Sequence, residues 1–475
     1  MSHADRPGLD KLSVLDEHGS RRYVYPADAR GKWSRLKPWV YGVLIAIYVA
    51  LPLVHIGGHP AVWIDLPRRH FYLFGATFNA QDFYLAFFVF TGIGFSLIVA
   101  AALFGRVWCG WACPQTVFLD GVFRRIERLI EGPANERAKL ARGPWTTEKI
   151  VKKSALHFIY FLMATLIAHI FLAYFASVDQ LGRMITEGPG AHPGTFIWAV
   201  ALTAIFYGNF WWFREQLCIV ICPYGRLQSA LQDKDTINVI YDRVRGEPRG
   251  KAKEKSEKGL GDCVDCNRCV AVCPTGIDIR NGNQLECIGC SYCIDACDDI
   301  MHKLGRKKGL IRYDSQRMVE ENKRRFWRPR VFFYAFMGAL GLTVATYVIS
   351  QNDGFEAEVL RASGTPFSIV EGGVENTLRI HVVNKHGEAG TFRVEATPES
   401  ARFVTLPDPE VRLEPFADHD LPVRILIPSA EWRRGIVVRL IVTDSLLPEP
   451  ELIDIDVLGP HRIVSPPPKP SGGAP

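Results

Sequence analysis

With 475 residues, 48% of them hydrophobic and 22% charged, the chain exceeds one ordinary domain and segregates its apolar and polar residues into different parts. The net charge of +6 is modest, and the basic residues gather in particular loops without interleaved aromatics, which argues for membrane topology and against nucleic-acid binding. Polar residues 1–37 precede the first apolar run; an ordinary secretory signal has a much shorter charged start, so the first run reads as an anchor that stays.

Crossing a bilayer takes about 20 residues of helix. Five segments meet that length: 38–56, 83–105, 155–176, 195–213 and 331–349. The Lys and Arg counts in the stretches before and between them run 8, 2, 10, 1 and 23. Positive loops stay in the cytoplasm, so the N-terminal segment, residues 106–154 and residues 214–330 are expected there, and the chain after 349 on the opposite side of the membrane.

Where the second span ends the sequence reads VWCGWACPQ, residues 107–115, and where the fourth ends it reads CIVICP, residues 218–223. Span, outer loop, span and Cys-x-x-x-Cys-Pro recur 109 residues apart, and such repeats pack about a shared axis, which brings the two pairs face to face. At i, i+4 spacing both sulfurs of a pair fall on one helix face. The prolines disfavour helix at Cys113 and Cys222, so those residues are expected to close a helical turn. Cys109, Cys113, Cys218 and Cys222 are thus a candidate metal or redox site; a third iron–sulfur cluster and simple packing at a helix junction are the other readings. Trp108, Trp111, Trp211 and Trp212 read as an interfacial aromatic belt.

The segment 231–330 carries CVDCNRCVAVCP at 263–274 and CIGCSYCIDAC at 287–297. Each run is Cys-x2-Cys-x2-Cys-x3-Cys, in which three thiolates wrap one [4Fe–4S] cluster and the fourth reaches the other cluster. The expected ligands are Cys263, Cys266, Cys269 and Cys297 for cluster 1, and Cys287, Cys290, Cys293 and Cys273 for cluster 2. Zinc sites rarely use three closely spaced thiols twice, and cytoplasmic placement argues against disulfides. Asp298 stands where a proline is usual and adds negative charge beside one cluster. The stretch RGKAKEKSEKGLGD, 249–262, reads as a flexible linker that lets the module swing. Basic clusters at 303–308 and 323–330 read as topology determinants touching anionic lipid; docking of an acidic electron donor is the lesser alternative.

Beyond residue 349 the pattern alternates: Leu378, Ile380 and Val382 share one face, and Ile436, Val438, Leu440 and Val442 another. Residues 350–462 are expected to form an immunoglobulin-like β-sandwich, without cysteine and suited to docking rather than catalysis, and residues 463–475 a disordered tail. Histidines within or beside spans, His55, His59, His157 and His169, are weighed as metal or haem ligands, against the simpler reading of hydrogen bonds to neighbouring helices.

The expected architecture is therefore a polytopic α-helical membrane protein of five spans, with a four-helix membrane domain at 38–230, an inserted two-cluster ferredoxin-like module and a C-terminal sandwich. These features together resemble the accessory proteins of cbb3-type cytochrome c oxidase, the FixG or RdxA kind, as does HPAVWIDLPRRHFYLFG at 59–75. The membrane cysteine motifs alone also resemble polyferredoxin subunits of nitrate respiration. The resemblance implies a cupric reductase that delivers Cu(I) during oxidase assembly, with copper-transport and oxidase-assembly proteins as partners. It leaves open a cytoplasmic electron donor of unknown identity and a homodimer. Soft thiolates favour Cu(I), which suits copper as substrate at the four membrane thiols. The alternatives are a quinol-linked ferredoxin passing electrons to a periplasmic partner and a non-catalytic scaffold.

Overall fold

The computed structural model describes residues 23–56, 58–67, 70–78, 83–251, 259–350, 355–361, 365–370, 372–386, 388–415, 417–446 and 450–460. Most of the N-terminal segment, part of the expected linker and the expected disordered tail lie outside the described residues. The chain divides into two compact units, Met1–Tyr347 and Val348–Pro475.

In the first unit, α1 spans Lys32–Ala50. Two small sheets follow, one of β1 (His55–Ile56) and β2 (His59–Pro60), the other of β3 (Val62–Asp65), β4 (His70–Leu73) and β5 (Ala76–Phe78). The next helices are α2 (Phe83–Phe104), α3 (Val107–Trp111), α4 (Pro114–Phe118), α5 (Arg124–Glu131) and α6 (Ala134–Arg142). Then come α7 (Thr147–Ala176), α8 (Val178–Glu187), α9 (Pro193–Gly208) and α10 (Pro223–Leu231).

Helices long and apolar enough to cross a membrane are Phe87–Phe104, Thr147–Ala176, Pro193–Phe213 and Pro329–Tyr347. They are apolar on every face, and Phe87, Phe90, Phe161, Leu166, Ile197, Trp198, Phe332 and Phe336 stand exposed, as lipid-facing side chains do and water-facing ones rarely do. The expected first span differs: its helix begins and ends six residues earlier than 38–56 and carries Lys32, Arg35 and Lys37 in its opening turns. Yet α1 traverses the bundle. Its start is tied to the cysteine-rich module, where Ser34 N donates to Asp295 Oδ2 at 2.6 Å. Its end lies beside the last turns of α7, where Tyr174 OH donates to Tyr48 O at 2.6 Å. The sheet β3–β4–β5 completes that end, with Trp63 Nε1 donating to Phe175 O at 3.3 Å.

The cysteine-rich module is built on β6 (Asn238–Tyr241), α11 (Tyr292–Lys303) and β7 (Ile311–Asp314). β6 and β7 pair antiparallel, Tyr241 opposite Ile311. Helix α12 (Gln316–Glu321) leads to α13 (Pro329–Ser350). There Gly341 lies so close to α2 that an added Cβ would stand 3.0 Å from Gly92 N, the approach small residues permit between membrane helices.

The module is docked on the bundle rather than hung from a tether. Gly261 N donates to Pro248 O at 2.8 Å and Gly250 N to Cys263 O at 3.2 Å, so the described ends of the expected linker close on each other as an excursion from the module. Residues 23–31 act as a strap: Ala27 N bonds Ala271 O at 2.8 Å, Arg268 donates to Asp28 O at 2.9 Å, and Arg128 of α5 pairs with Asp28 Oδ1 at 2.7 Å. Trp111 is likewise no belt residue: its Nε1 donates to Tyr313 OH at 3.0 Å and its ring meets Trp33 edge-on at 5.7 Å. Trp108, Trp211 and Trp212 are exposed, as expected of a belt.

The second unit is a two-sheet sandwich. One sheet orders β12 (Val404–Thr405), β14 (Asp418–Pro428), β10 (Gly373–Asn384) and β8 (Phe355–Arg361), with β9 (Ser368–Val370) also on β10. The other orders β13 (Glu410–Leu413), β11 (Gly390–Ala396), β15 (Val437–Asp444) and β16 (Glu451–Asp456). Leu378, Ile380 and Val382 from the first meet Phe392, Val394, Leu440 and Val442 from the second in one core, the alternation expected of strands with one buried face.

Candidate functional site

The two cysteine runs fold alike. In the first, Asp265 and Asn267 take positive φ of 51° and 54°; in the second the equivalent Gly289 and Ser291 take 65° and 64°. Asn and Asp tolerate this left-handed backbone better than most residues, and a side chain at 289 would crowd Arg106 O, 3.1 Å from an ideal Cβ. Each run thus curls its first two thiols around a point before a helical turn, Arg268–Ala271 or α11, supplies the third; the fourth lies within α11 in the second run and just past the turn, at Cys273, in the first. Arg280 locks the first curl, donating to Asp265 Oδ1 at 2.5 Å, to Asp278 Oδ2 at 2.7 Å and to Asn267.

Cys263, Cys266, Cys269 and Cys297 line one cavity, together with Tyr241, Ile300 and Leu310. Cys273, Cys287, Cys290 and Cys293 line another, together with Ile277, Ile279 and Ile288, and Cys269 reaches its edge. In each, three thiols come from one run and the fourth from the other; apolar side chains dominate the rest of the second lining, while Asn267, Arg268 and Arg280 also line the first. Four soft thiols around one cavity fit an iron–sulfur cluster. Among the described residues no three His, Cys, Asp or Glu converge tightly enough to hold a single metal ion. Burial pushes the Cys269, Cys290 and Cys297 thiols up to about 12 and Cys287 up to about 11. Without iron these groups keep their protons, and ligation releases them. Asp298 continues α11 instead of breaking it, and its carboxylate accepts Gly309 N at 2.8 Å; a proline there would interrupt the helix.

The cavities differ in exposure. Cys266 reaches the surface, whereas Cys290 is buried and packs with Ile288 and Tyr292 against Cys109 of the first membrane motif. The motif lies this close because α3 presents Gly110 to the 288–289 backbone, where a Cβ would stand 2.6 Å from Ile288 O.

Both membrane motifs end in a widened turn. Cys113 N donates to Trp108 O at 2.9 Å and Cys222 N to Leu217 O at 2.8 Å, each five residues back, so the expected i, i+4 α-helical face gives way to π-type turns, common at functional sites. Cys113 and Cys222 are extended, and a helix starts at the proline after each. The four thiols are electrostatic neighbours: Cys218 senses Cys113, Cys109 and Cys222, and burial pushes it up to about 12. Cys109 donates to Gln228 Oε1 at 2.9 Å. They do not form a preassembled single-ion site.

The pattern of cysteines alone misses Arg106, Asp120, Tyr292 and Lys37. Arg106, 4% exposed, donates to Leu285 O between the first motif and the second run, and its charge bears on both Cys109 and Cys287. Its one sequence signal is a lone cation directly before VWCGWACPQ. Of the weighed histidines, His55 bonds Leu53 O at 3.0 Å and His169 bonds Thr165 O at 2.8 Å within their own segments, His157 bonds Tyr207 OH of the neighbouring α9 at 2.9 Å, and His59 stacks on Tyr72 at 4.3 Å.

Thiol-lined cavities joined to a membrane bundle define the class, a membrane iron–sulfur electron-transfer protein and oxidoreductase. Family models agree: a 4Fe-4S dicluster domain matches 213–316, a 4Fe-4S binding domain matches 85–133, and the IG-like fold at the C-terminal of FixG matches 345–452. Protein RdxA of Cereibacter sphaeroides is 37% identical over 396 residues, 79% of this chain and 82% of RdxA. The nitrogen fixation protein FixG of Rhizobium meliloti is 42% identical over 303 residues, 62% of this chain and 57% of FixG. Ferredoxin-type protein NapH of Haemophilus influenzae is 24% identical over 231 residues, 46% of this chain and 69% of NapH. The chain belongs to the RdxA and FixG family.

Proposed function

We propose that the protein is a cupric reductase, turning Cu(II) into Cu(I) for assembly of a cbb3-type cytochrome c oxidase. Cys263, Cys266, Cys269 and Cys297 hold cluster 1, and Cys273, Cys287, Cys290 and Cys293 hold cluster 2. A [4Fe–4S] cluster carries one electron, so each Cu(II) reduced consumes one electron taken originally from an external donor. Cys109, Cys113, Cys218 and Cys222 receive copper as substrate; their soft sulfurs favour Cu(I), and the protons that burial keeps on Cys109, Cys113 and Cys218 leave as the metal binds. The observation that carries this reading is the packing of Cys109 against Cys290, which puts a membrane thiol beside a cluster ligand. Exposure of Cys266 supports electron entry at cluster 1. Loop charges support a cytoplasmic module and a periplasmic sandwich, the latter a docking domain for assembly partners.

The test is anaerobic. Clusters are reduced, Cu(II) is added, and Cu(I) is followed with a chelator beside cluster absorbance. One Cu(I) per electron stored is expected in the wild type, and a stall in the Cys109→Ser, Cys218→Ser double variant. Equal yields in both proteins exclude the membrane thiols as the reduction site and favour the electron-conduit or scaffold alternative.

A further inference from the structure

Lys37 is a buried cation that the functional reading above does not use. It sits in the opening turns of α1, 1% exposed, and among the described residues its Nζ has no hydrogen-bond partner. Three rings surround it: Tyr292 at 3.9 Å, Tyr41 at 5.6 Å and Trp111 at 5.7 Å. Its nearest carboxylate, Asp120 Oδ2, is 3.9 Å away. That carboxylate is already engaged, by Arg124 at Oδ1 and by Tyr292 OH at 3.3 Å on Oδ2.

The surrounding ion pairs do not neutralise the group. Among the described residues, Lys37, Arg124, Arg137 and Arg214 are joined through Asp120, Glu127 and Glu215, four cations to three carboxylates, and the buried carboxylate of Asp295 is taken by the backbone of Trp33 and Ser34. An uncompensated buried cation is strongly unfavourable. The missing anion lies next to it: the Tyr292 ring that Lys37 covers stands between Cys290 and Cys293 in the chain, and while burial pushes the Lys37 ammonium down from its ordinary value, those two sulfurs, once thiolate, push it back up. An iron–sulfur centre ligated by four thiolates is anionic, and more so when reduced.

We propose that Lys37 is a counter-charge of cluster 2, acting beside Arg106, and raises its reduction potential so that an electron entering at the exposed cluster 1 settles on the cluster beside Cys109. The nearby charge acts on the reduced form more than on the oxidised one, since the extra electron adds negative charge within reach of the ammonium group. The asymmetry follows from position, because Arg280, the buried cation beside cluster 1, is itself matched by Asp278 and Asp265. The inference rests on the proposed cluster ligands but not on copper as substrate.

The test is a redox titration of the purified full-length protein followed by electron paramagnetic resonance, with iron content measured on each variant. Lys37→Met keeps the length and removes the charge. One of the two midpoints is expected to fall, so that an electron shared between the clusters shifts tenfold or more toward the other, about 59 mV for one electron, while the second midpoint stays. Lys37→Arg, which keeps the charge, should restore it. Two unchanged midpoints in an iron-replete Lys37→Met protein would overturn the proposal. Should Lys37→Met lose iron, Asp120→Asn serves instead: it removes the competing anion, so the same midpoint should rise, and an unmoved or lowered one refutes the role. Iron loss across every variant and the wild type would instead count against the cluster assignment itself.

Discussion

At the scale of single residues, the charges under the module do structural work that the sequence hides. Burial would raise the Glu127 carboxyl, but Arg214, with Arg137 and Tyr160, overrides it and holds Glu127 down from its ordinary 4.5 to about 2. Arg214 also donates to Tyr23 OH, so the same ion pair anchors the strap that crosses to the module. The stability contributed by ionised Glu127 is present above pH 4.5 and is lost as pH falls toward about 2. Glu127→Gln should therefore cost about 3 kcal/mol at neutral pH. The gap between variant and wild type should close on acidification through that window, read as unfolding midpoints in detergent; a gap that ignores pH would contradict the assignment. Neither Arg214 nor Glu127 stood out in the sequence. An Arg just past an apolar run looks like a topology charge, and only the fold brings it to a carboxylate 87 residues away.

Among elements, legibility follows how local the cause is. Cysteine spacing, apolar length and the proline after each membrane motif act within a few residues, and cavities, the spans after the first and helix starts appear where those signals put them. The widened turns escaped because a π-type bond needs no distinctive residue, and the shift of α1 because its helix extends through Lys32–Lys37 into contacts with the module. The fixed docking escaped for the same reason: a charged, glycine-punctuated stretch reads as a tether unless its ends are known to meet. Gly110 shows the consequence. A methyl there would stand 2.6 Å from Ile288 O and 2.8 Å from Gly289 O, so α3 and the 288–289 loop must part. Gly110→Ala should keep both clusters, raise amide exchange across 285–292 and slow Cu(I) formation by an order of magnitude or more, since small misplacements of reacting groups are costly. Undiminished rates with normal exchange would mean that the contact is not the electron route.

For the whole molecule, the division into two units predicts which damage stays local. The sandwich has a core of its own, in which Leu378, Ile380, Phe392, Val394, Ile425 and Leu440 are fully buried, and none of its residues is a cysteine. The first unit keeps separate clusters of buried residues around the module thiols and between α1, α5, α7 and α9. Ile380→Ala removes side-chain packing at the centre of β10, a change that costs about 2–5 kcal/mol in a well-packed core. If the units are energetically independent, the full-length variant should become sensitive to proteases across 355–456 while its iron content, cluster absorbance and copper reduction stay at wild-type levels. Its capacity to support oxidase assembly in cells should drop, because the sandwich docks partners in the proposed scheme. Loss of iron from the same variant would mean that folding of the sandwich stabilises the cluster module, and its role would then extend beyond docking.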